Sequence, residues 1–204
     1  MQRSDVLPRT EVLSELSRWL ETTHGIRMLG GLGFENAYAL AMSRKKAEAL
    51  GIRSIADLAA HAPRLTIAGD YEFFARPEWA ALVKAYGLQF RSERQMQPEF
   101  MYPALASGQV EVISAYTSDG QIAKYDLLVL DDPRHAIPPY DAILLLSPRR
   151  AKDETLITAL KPLIGAIPVA LMRAANARAS SGGTSADEVA RDFGEQVGHN
   201  GKTQ

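Results

Sequence analysis

The chain contains no cysteine. That excludes disulfide frameworks, zinc–thiolate sites, iron–sulfur clusters and cysteine nucleophiles. It does not fix the compartment, because reduced and oxidising environments both tolerate the absence. Excess charge is lacking too. Lys plus Arg is 23 and Asp plus Glu is 24, a net charge of −1, so no nucleic-acid partner is expected, since such binders carry a basic footprint. The longest nearly apolar stretch, residues 164–172, falls far short of the roughly 20 residues that span a bilayer. Met1-Gln2-Arg3-Ser4-Asp5 has no apolar h-region, so no signal peptide is expected in this chain. G-x-S-x-G, H-E-x-x-H and a Walker A loop are missing as well. Gly31-Leu32-Gly33 begins a dinucleotide pattern, but Asn36 stands where its third glycine belongs. His24, His61, His135 and His199 lack ligand spacing and read as surface or boundary residues. Asp131-Asp132 reads as a solvated loop after a strand. No metal, cofactor or enzymatic chemistry is expected.

The chain has 204 residues, 46% hydrophobic and 23% charged, which is globular composition in one domain or two small ones. Val12, Leu13, Leu16, Trp19 and Leu20 lie on one face of a helix that starts near residue 10 and stops at Gly25. Strands are expected at 26–29, 38–42, 65–68, 88–90, 110–115, 127–130 and 142–146. Between them, Ser43 and Ser54 are placed to cap short helices, the second running through His61. Pro77 and Gly87 bracket a helix carrying Trp79, Leu82, Val83 and Tyr86 at helical spacing. Residues 98–107 read as a helix despite Pro103. The last third turns helical at 153–163 and 169–179, and Ser185 caps a final helix to about Val197, with a frayed tail from Gly198. This alternation implies an α/β fold with a mainly parallel sheet. Gly30, Gly31 and Gly33 are expected to form a flexible joint, and Ile137-Pro138-Pro139 a second boundary.

The aromatics cluster at expected strand ends rather than along helix faces. Tyr38 follows the glycines, Tyr71, Phe73 and Phe74 crowd the segment between a strand and a helix, Tyr116 follows another strand and Tyr140 precedes a third. Ligand sites of open α/β sheets form at such places. Singly, each ring also reads as core or rim. Together, facing tyrosine rings make a box for a quaternary ammonium, which has no N–H to donate but is drawn to electron-rich ring faces. Arg76, just before Pro77 at a helix start, could grip a carboxylate through two parallel hydrogen bonds.

Four motifs occur in order: Gly33-Phe34-Glu35-Asn36-Ala37-Tyr38-Ala39-Leu40-Ala41, Asp70-Tyr71-Glu72-Phe73-Phe74-Ala75-Arg76-Pro77, Ala115-Tyr116-Thr117-Ser118-Asp119-Gly120 and Pro138-Pro139-Tyr140-Asp141-Ala142. From about residue 10 to 178 the sequence resembles the substrate-binding proteins of glycine betaine/carnitine/choline ABC transporters, of the osmoprotectant-uptake type. The resemblance implies the two-lobed periplasmic-binding-protein fold of type 2, closing by a hinge around its ligand. It implies that Tyr38, Tyr116 and Tyr140 wall an aromatic box and that Asn36 faces the ammonium methyls through its backbone carbonyl. Arg76 would hold a carboxylate where the ligand has one. Tyr71, Phe73, Phe74, Thr117 and Asp119 would support the site. An ABC permease would be the partner and the periplasm the location. Family members also carry an early strand with a Lys-Asn-Phe-Thr-Glu-like motif and a later Tyr-Thr-Gly-Thr-like segment, and this chain has neither. The expectation is therefore one complete lobe, residues 34–138, and an incomplete one: residues 1–33 as its remnant and 139–204 as the mainly helical return. Residues 1–33 and 139–204 are expected either to pair with a second copy, a homo-oligomer covering the incomplete lobe, or to rearrange. A cytoplasmic or orphan ligand-sensing module built on the same lobe is the alternative function.

Overall fold

The structure, a computed structural model, describes residues 8–200 and side chains through Gly198. The expectations about the first five residues, the His199 side chain and the end of the tail lie outside that range. Helix α1 (Arg9–His24) ends on Gly25 in the left-handed conformation, as the periodicity predicts. Strands β1 (Arg27–Glu35) and β2 (Tyr38–Ser43) follow, then helices α2 (Arg44–Leu50) and α3 (Ile55–His61). Strand β3 (Thr66–Gly69) leads to α4 (Pro77–Tyr86), β4 (Ser92–Gln95), α5 (Pro98–Ala106), β5 (Val112–Tyr116), the short α6 (Gln121–Lys124) and β6 (Leu127–Val129). Strand β7 (Asp141–Leu146) precedes α7 (Glu154–Leu160), α8 (Val169–Ser180) and α9 (Ala186–Asn200). The chain divides into two compact units: a middle one, Ala37–Pro138, and a flanking one made of the chain on either side.

The middle unit is a five-stranded sheet in the order β4-β3-β5-β2-β6. It is mixed rather than mainly parallel. β3 runs parallel to β4 and β5, and β2 runs antiparallel to both β5 and β6. Four strands thus point one way and β2 alone points back. The start of β2 therefore lies where β3 and β5 end, and this reversal is what brings Tyr38 opposite Tyr116. Side chains alternate across the sheet. Tyr38, Leu40, Met42, Ile67 and Val112 join α3 and α4 residues Ile55, Leu58, Trp79 and Leu82 in one core. Ala41, Ala68 and Ile113 join α5 residues Met101, Tyr102 and Leu105 in the other.

Two further expectations about this unit change. Residues 88–90 form no strand; the pairing begins at Ser92 instead. Leu88 is buried in the core and Phe90 packs on Trp79 at 6.1 Å, so the apolar residues serve packing. The strand itself is a polar edge, which discourages pairing with other chains. Ser54 caps α3 with a reciprocal pair of bonds to Asp57, but Ser43 makes no side-chain cap for α2.

In the flanking unit β1 pairs antiparallel with β7. The glycines expected to form a joint lie inside β1. Their reason is close approach: Gly165 and Ile167 donate backbone N–H groups to Gly31 and Leu32 carbonyls at 2.9 Å. A Cβ on Gly30 would meet Ile164 Cγ2 at 2.9 Å, and one on Gly33 would meet the Ile167 carbonyl oxygen at 2.9 Å. Both glycines also have positive φ, 144° and 111°, which other residues rarely adopt. Helix α1 is tied to the start of β7 by an ion pair between Arg9 and Asp141.

Candidate functional site

The site of the middle unit is assembled where β3 and β5 end and β2 begins. The β2–β5 register sets Tyr38 directly opposite Tyr116. Their ring centroids are 4.8 Å apart, tilted 38°, and the Tyr116 hydroxyl donates to the Tyr38 hydroxyl at 2.9 Å. Thr117 locks this pairing from behind. Its N–H donates to the Ala37 carbonyl at 2.9 Å, and its Oγ1 accepts from the Ala37 N–H at 3.0 Å.

The segment after β3 wraps against the pair. Asp70 Oδ1 accepts from the N–H groups of Glu72 and Phe73, both at 2.9 Å, an Asx turn that the sequence reading did not single out. This turn sets up the 3-10 helix Phe73–Ala75. Phe73 is thereby buried with its ring 5.5 Å from Tyr38. A Cβ at Gly69 would meet Phe73 Cδ1 at 2.8 Å, so only glycine lets that ring lie against the strand end. Phe74 is half-buried and meets Trp79 edge-on at 5.3 Å. Tyr71 stands 60% exposed on the outside of the turn. Arg76 then places its guanidinium carbon 5.1 Å from the Tyr38 ring centroid, within cation–π range. Its charge is shared with Glu78, a buried carboxylate of the first turn of α4 that the sequence reading passed over.

Burial, and then its closeness to the Tyr116 hydroxyl, pushes the Tyr38 phenol far above its ordinary value, while Arg76 pulls the other way. Tyr38 is therefore a neutral ring throughout the physiological range. Asp119 sits one turn further on and accepts from the Tyr102 hydroxyl and from the Gln121 N–H, the latter at 3.1 Å. Burial and that carboxylate together hold Tyr102 protonated. Asp119 thus shapes the turn that follows Tyr116. A cavity of about 360 Å³ opens at the opposite edge of the sheet, beside Ser43, Lys46 and Glu111, far along β2 from the aromatic cluster.

Asn36 and Tyr140 belong to the flanking unit. They meet each other there, the Asn36 N–H donating to the Tyr140 carbonyl at 3.1 Å just past the β1–β7 pairing. The Tyr140 ring is 36% exposed. Next to it in sequence, Asp141 is held by Arg9, whose guanidinium Nε lies 3.0 Å from both carboxylate oxygens.

Neutral aromatic rings with one carboxylate-paired cation beside them thus meet at the strand ends of a helix-covered sheet. Residues 10–196 match the family described as the substrate binding domain of ABC-type glycine betaine transport systems, and the chain belongs to that family. It is 34% identical over 187 residues to a glycine-betaine-binding protein of Pseudomonas aeruginosa, covering 85% of this chain and 60% of that protein. It is 30% identical over 180 residues to an ergothioneine transport permease/ergothioneine binding protein of Helicobacter pylori, covering 87% of this chain and 32% of that one. The chain thus spans less than two thirds of the curated relatives it matches. Among solved structures it resembles one described as a glycine betaine/carnitine/choline ABC transporter. The TM-score is 0.89 and the identity 25%, over 97% of this chain and 74% of that one. The fold is accordingly that of the periplasmic binding proteins of this family.

Proposed function

We propose that this chain captures small quaternary ammonium compounds, such as glycine betaine, choline and carnitine, as the substrate-binding part of an ABC-type importer. One observation carries the reading: the chain already seats a cation of its own, Arg76, 5.1 Å from the Tyr38 ring centroid. A ring cluster that attracts a guanidinium also attracts a methylated ammonium, which asks for no hydrogen-bond acceptor. In this reading Tyr38, Tyr116 and Tyr140 supply ring faces and Asn36 its carbonyl. Phe73, Phe74, Thr117 and Asp119 fix the rings in place, and Tyr71 lies at the periphery. Capture is non-covalent and delivery is to a membrane permease outside the cytoplasm. Among the described residues no helix is long and apolar enough to cross a membrane.

Calorimetric titration with choline, glycine betaine and carnitine tests this. At least one is expected to bind, and Tyr38→Ala to weaken it by about 2- to 30-fold, from the roughly 0.5–2 kcal/mol of one cation–π contact. No heat with any of the three overturns the proposal. Undiminished binding by Tyr38→Ala removes the box from it.

A further inference from the structure

The Arg76 guanidinium is engaged by carboxylates of its own chain. Its Nε and Nη2 donate to the two Glu78 carboxylate oxygens at 3.3 and 3.4 Å, a two-pronged grip. Its Nη1 lies 3.8 Å from a Glu72 oxygen. The two acids differ in setting. The Glu72 side chain is 81% exposed, whereas that of Glu78 is 6% exposed. A buried carboxylate that loses its cation is strongly penalised, because little water reaches it. A ligand carboxylate that takes the same two prongs must take them from Glu78. The Glu78 charge also cancels that of Arg76, so a second cation can approach the ring cluster without meeting a net positive charge.

We propose that Glu78 is a specificity-determining positioning residue: it holds Arg76 against Tyr38 and keeps its two prongs from the ligand, so that the site favours quaternary ammonium compounds without a carboxylate, of the choline type, over zwitterions of the glycine betaine type. This inference rests on the proposed ligand class. It reverses the task that the sequence pattern suggests for Arg76, which becomes a neutralised part of the ring cluster instead of a carboxylate clamp.

The test is calorimetric titration of the whole chain with choline and with glycine betaine, reported as the ratio of their dissociation constants. The wild-type chain is expected to bind choline more tightly. Glu78→Gln keeps the shape but removes the buried charge that holds Nε and Nη2, and is expected to move the ratio toward glycine betaine by about tenfold, the size of one charge-assisted hydrogen bond. Glu72→Gln is expected to leave the ratio within about twofold, since that acid is exposed. A purely structural role for Glu78 would weaken both ligands alike, so an unchanged ratio overturns the inference. Tighter binding of glycine betaine by the wild-type chain overturns it without any variant, whatever Glu78→Gln does to folding. In either case the ligand-class proposal stands. Binding of neither ligand by the wild-type chain removes that proposal and this inference with it.

Discussion

In the middle unit, β2 is buried at every residue from Tyr38 through Met42, while in the flanking unit β1 has no fully buried residue and β7 has only Leu146. Composition does not explain this, because β7 carries Ala142, Ile143, Leu144, Leu145 and Leu146 in a row. Such a run reads as a strand covered on both faces. The difference lies in cover. β2 has β5 on one edge, β6 on the other and helices against both faces, whereas β1 and β7 form a two-stranded ribbon. Burial of a strand is set by what is packed around it, and the same apolar residue is worth more in one unit than in the other.

The largest expected effect tests that contrast. Leu40 is 0% exposed and Leu145 is 41% exposed. Leu40→Ala removes packing on all sides and should cost about 2–5 kcal/mol of unfolding free energy. Leu145→Ala should cost less than about 1 kcal/mol, because much of its side chain already meets water. Urea unfolding of both variants checks this, and equal losses would break the comparison.

A smaller effect sharpens it from the other side. The flanking ribbon is weakly covered but tightly threaded, since Gly33 combines a φ of 111° with a carbonyl oxygen 2.9 Å from where a Cβ would sit. Gly33→Ala should cost about 1–3 kcal/mol through strain and displacement of that carbonyl. Hydrogen exchange should speed up in residues 28–34 and 163–167, and no change there would mean that the segment is not held against β1.

These glycines also mark where sequence reading stops. A short apolar run disclosed β2, and helical spacing disclosed α1 and α4, close to their observed ends, because these signals are local and the helices carry caps such as Gly25, Pro77 and Gly87. Gly30 and Gly33 looked like a joint because nothing local shows that residues 163–167 press on them. The reversal of β2 was equally hidden, being a matter of pairing and not of propensity. Of the candidate site, Tyr38, Phe73 and Tyr116 were legible beside strand ends, whereas Tyr140 belongs to the other unit. The partner of Arg76 was not legible: Glu78 looks like any acidic residue in a first helical turn, and only the folded chain shows it buried against the guanidinium. Asp70 had a readable signal, an acidic residue just before a turn, which marks an Asx turn.

The smallest expected effects come from a motif that both units share. Ser54 and Asp57 cap α3, and Ser185 and Glu188 cap α9, with the same reciprocal bonds: each serine N–H donates to the acid and each acid N–H to the serine Oγ. Ser54→Ala and Ser185→Ala should each cost about 1 kcal/mol locally. Ile55 and Leu58 of α3 are fully buried, so the first loss should register in global unfolding. α9 spreads its two buried residues, Val189 and Val197, over a helix of 15 residues, so the second should register as faster exchange within α9 alone. Both acids are held below their ordinary values of 3.8 and 4.5. For Asp57 the chief cause is the Arg53 N–H, then the Ser54 hydroxyl; for Glu188 it is the Ser185 N–H, then the Ser185 hydroxyl. A carboxyl whose folded pKa is lowered stabilises the fold above its ordinary pKa, and that stability drains away as the pH falls through the lowered value. Each serine-to-alanine change should therefore raise the titration midpoint of its acid toward the ordinary value and flatten the acid limb of stability below about pH 4.5. Carbon-detected NMR of the two carboxyl groups reads both midpoints in one titration. If Asp57 shifts and Glu188 does not, the cap of α9 lacks the support that α3 draws from its core, and the contrast between the units extends down to a single turn of helix.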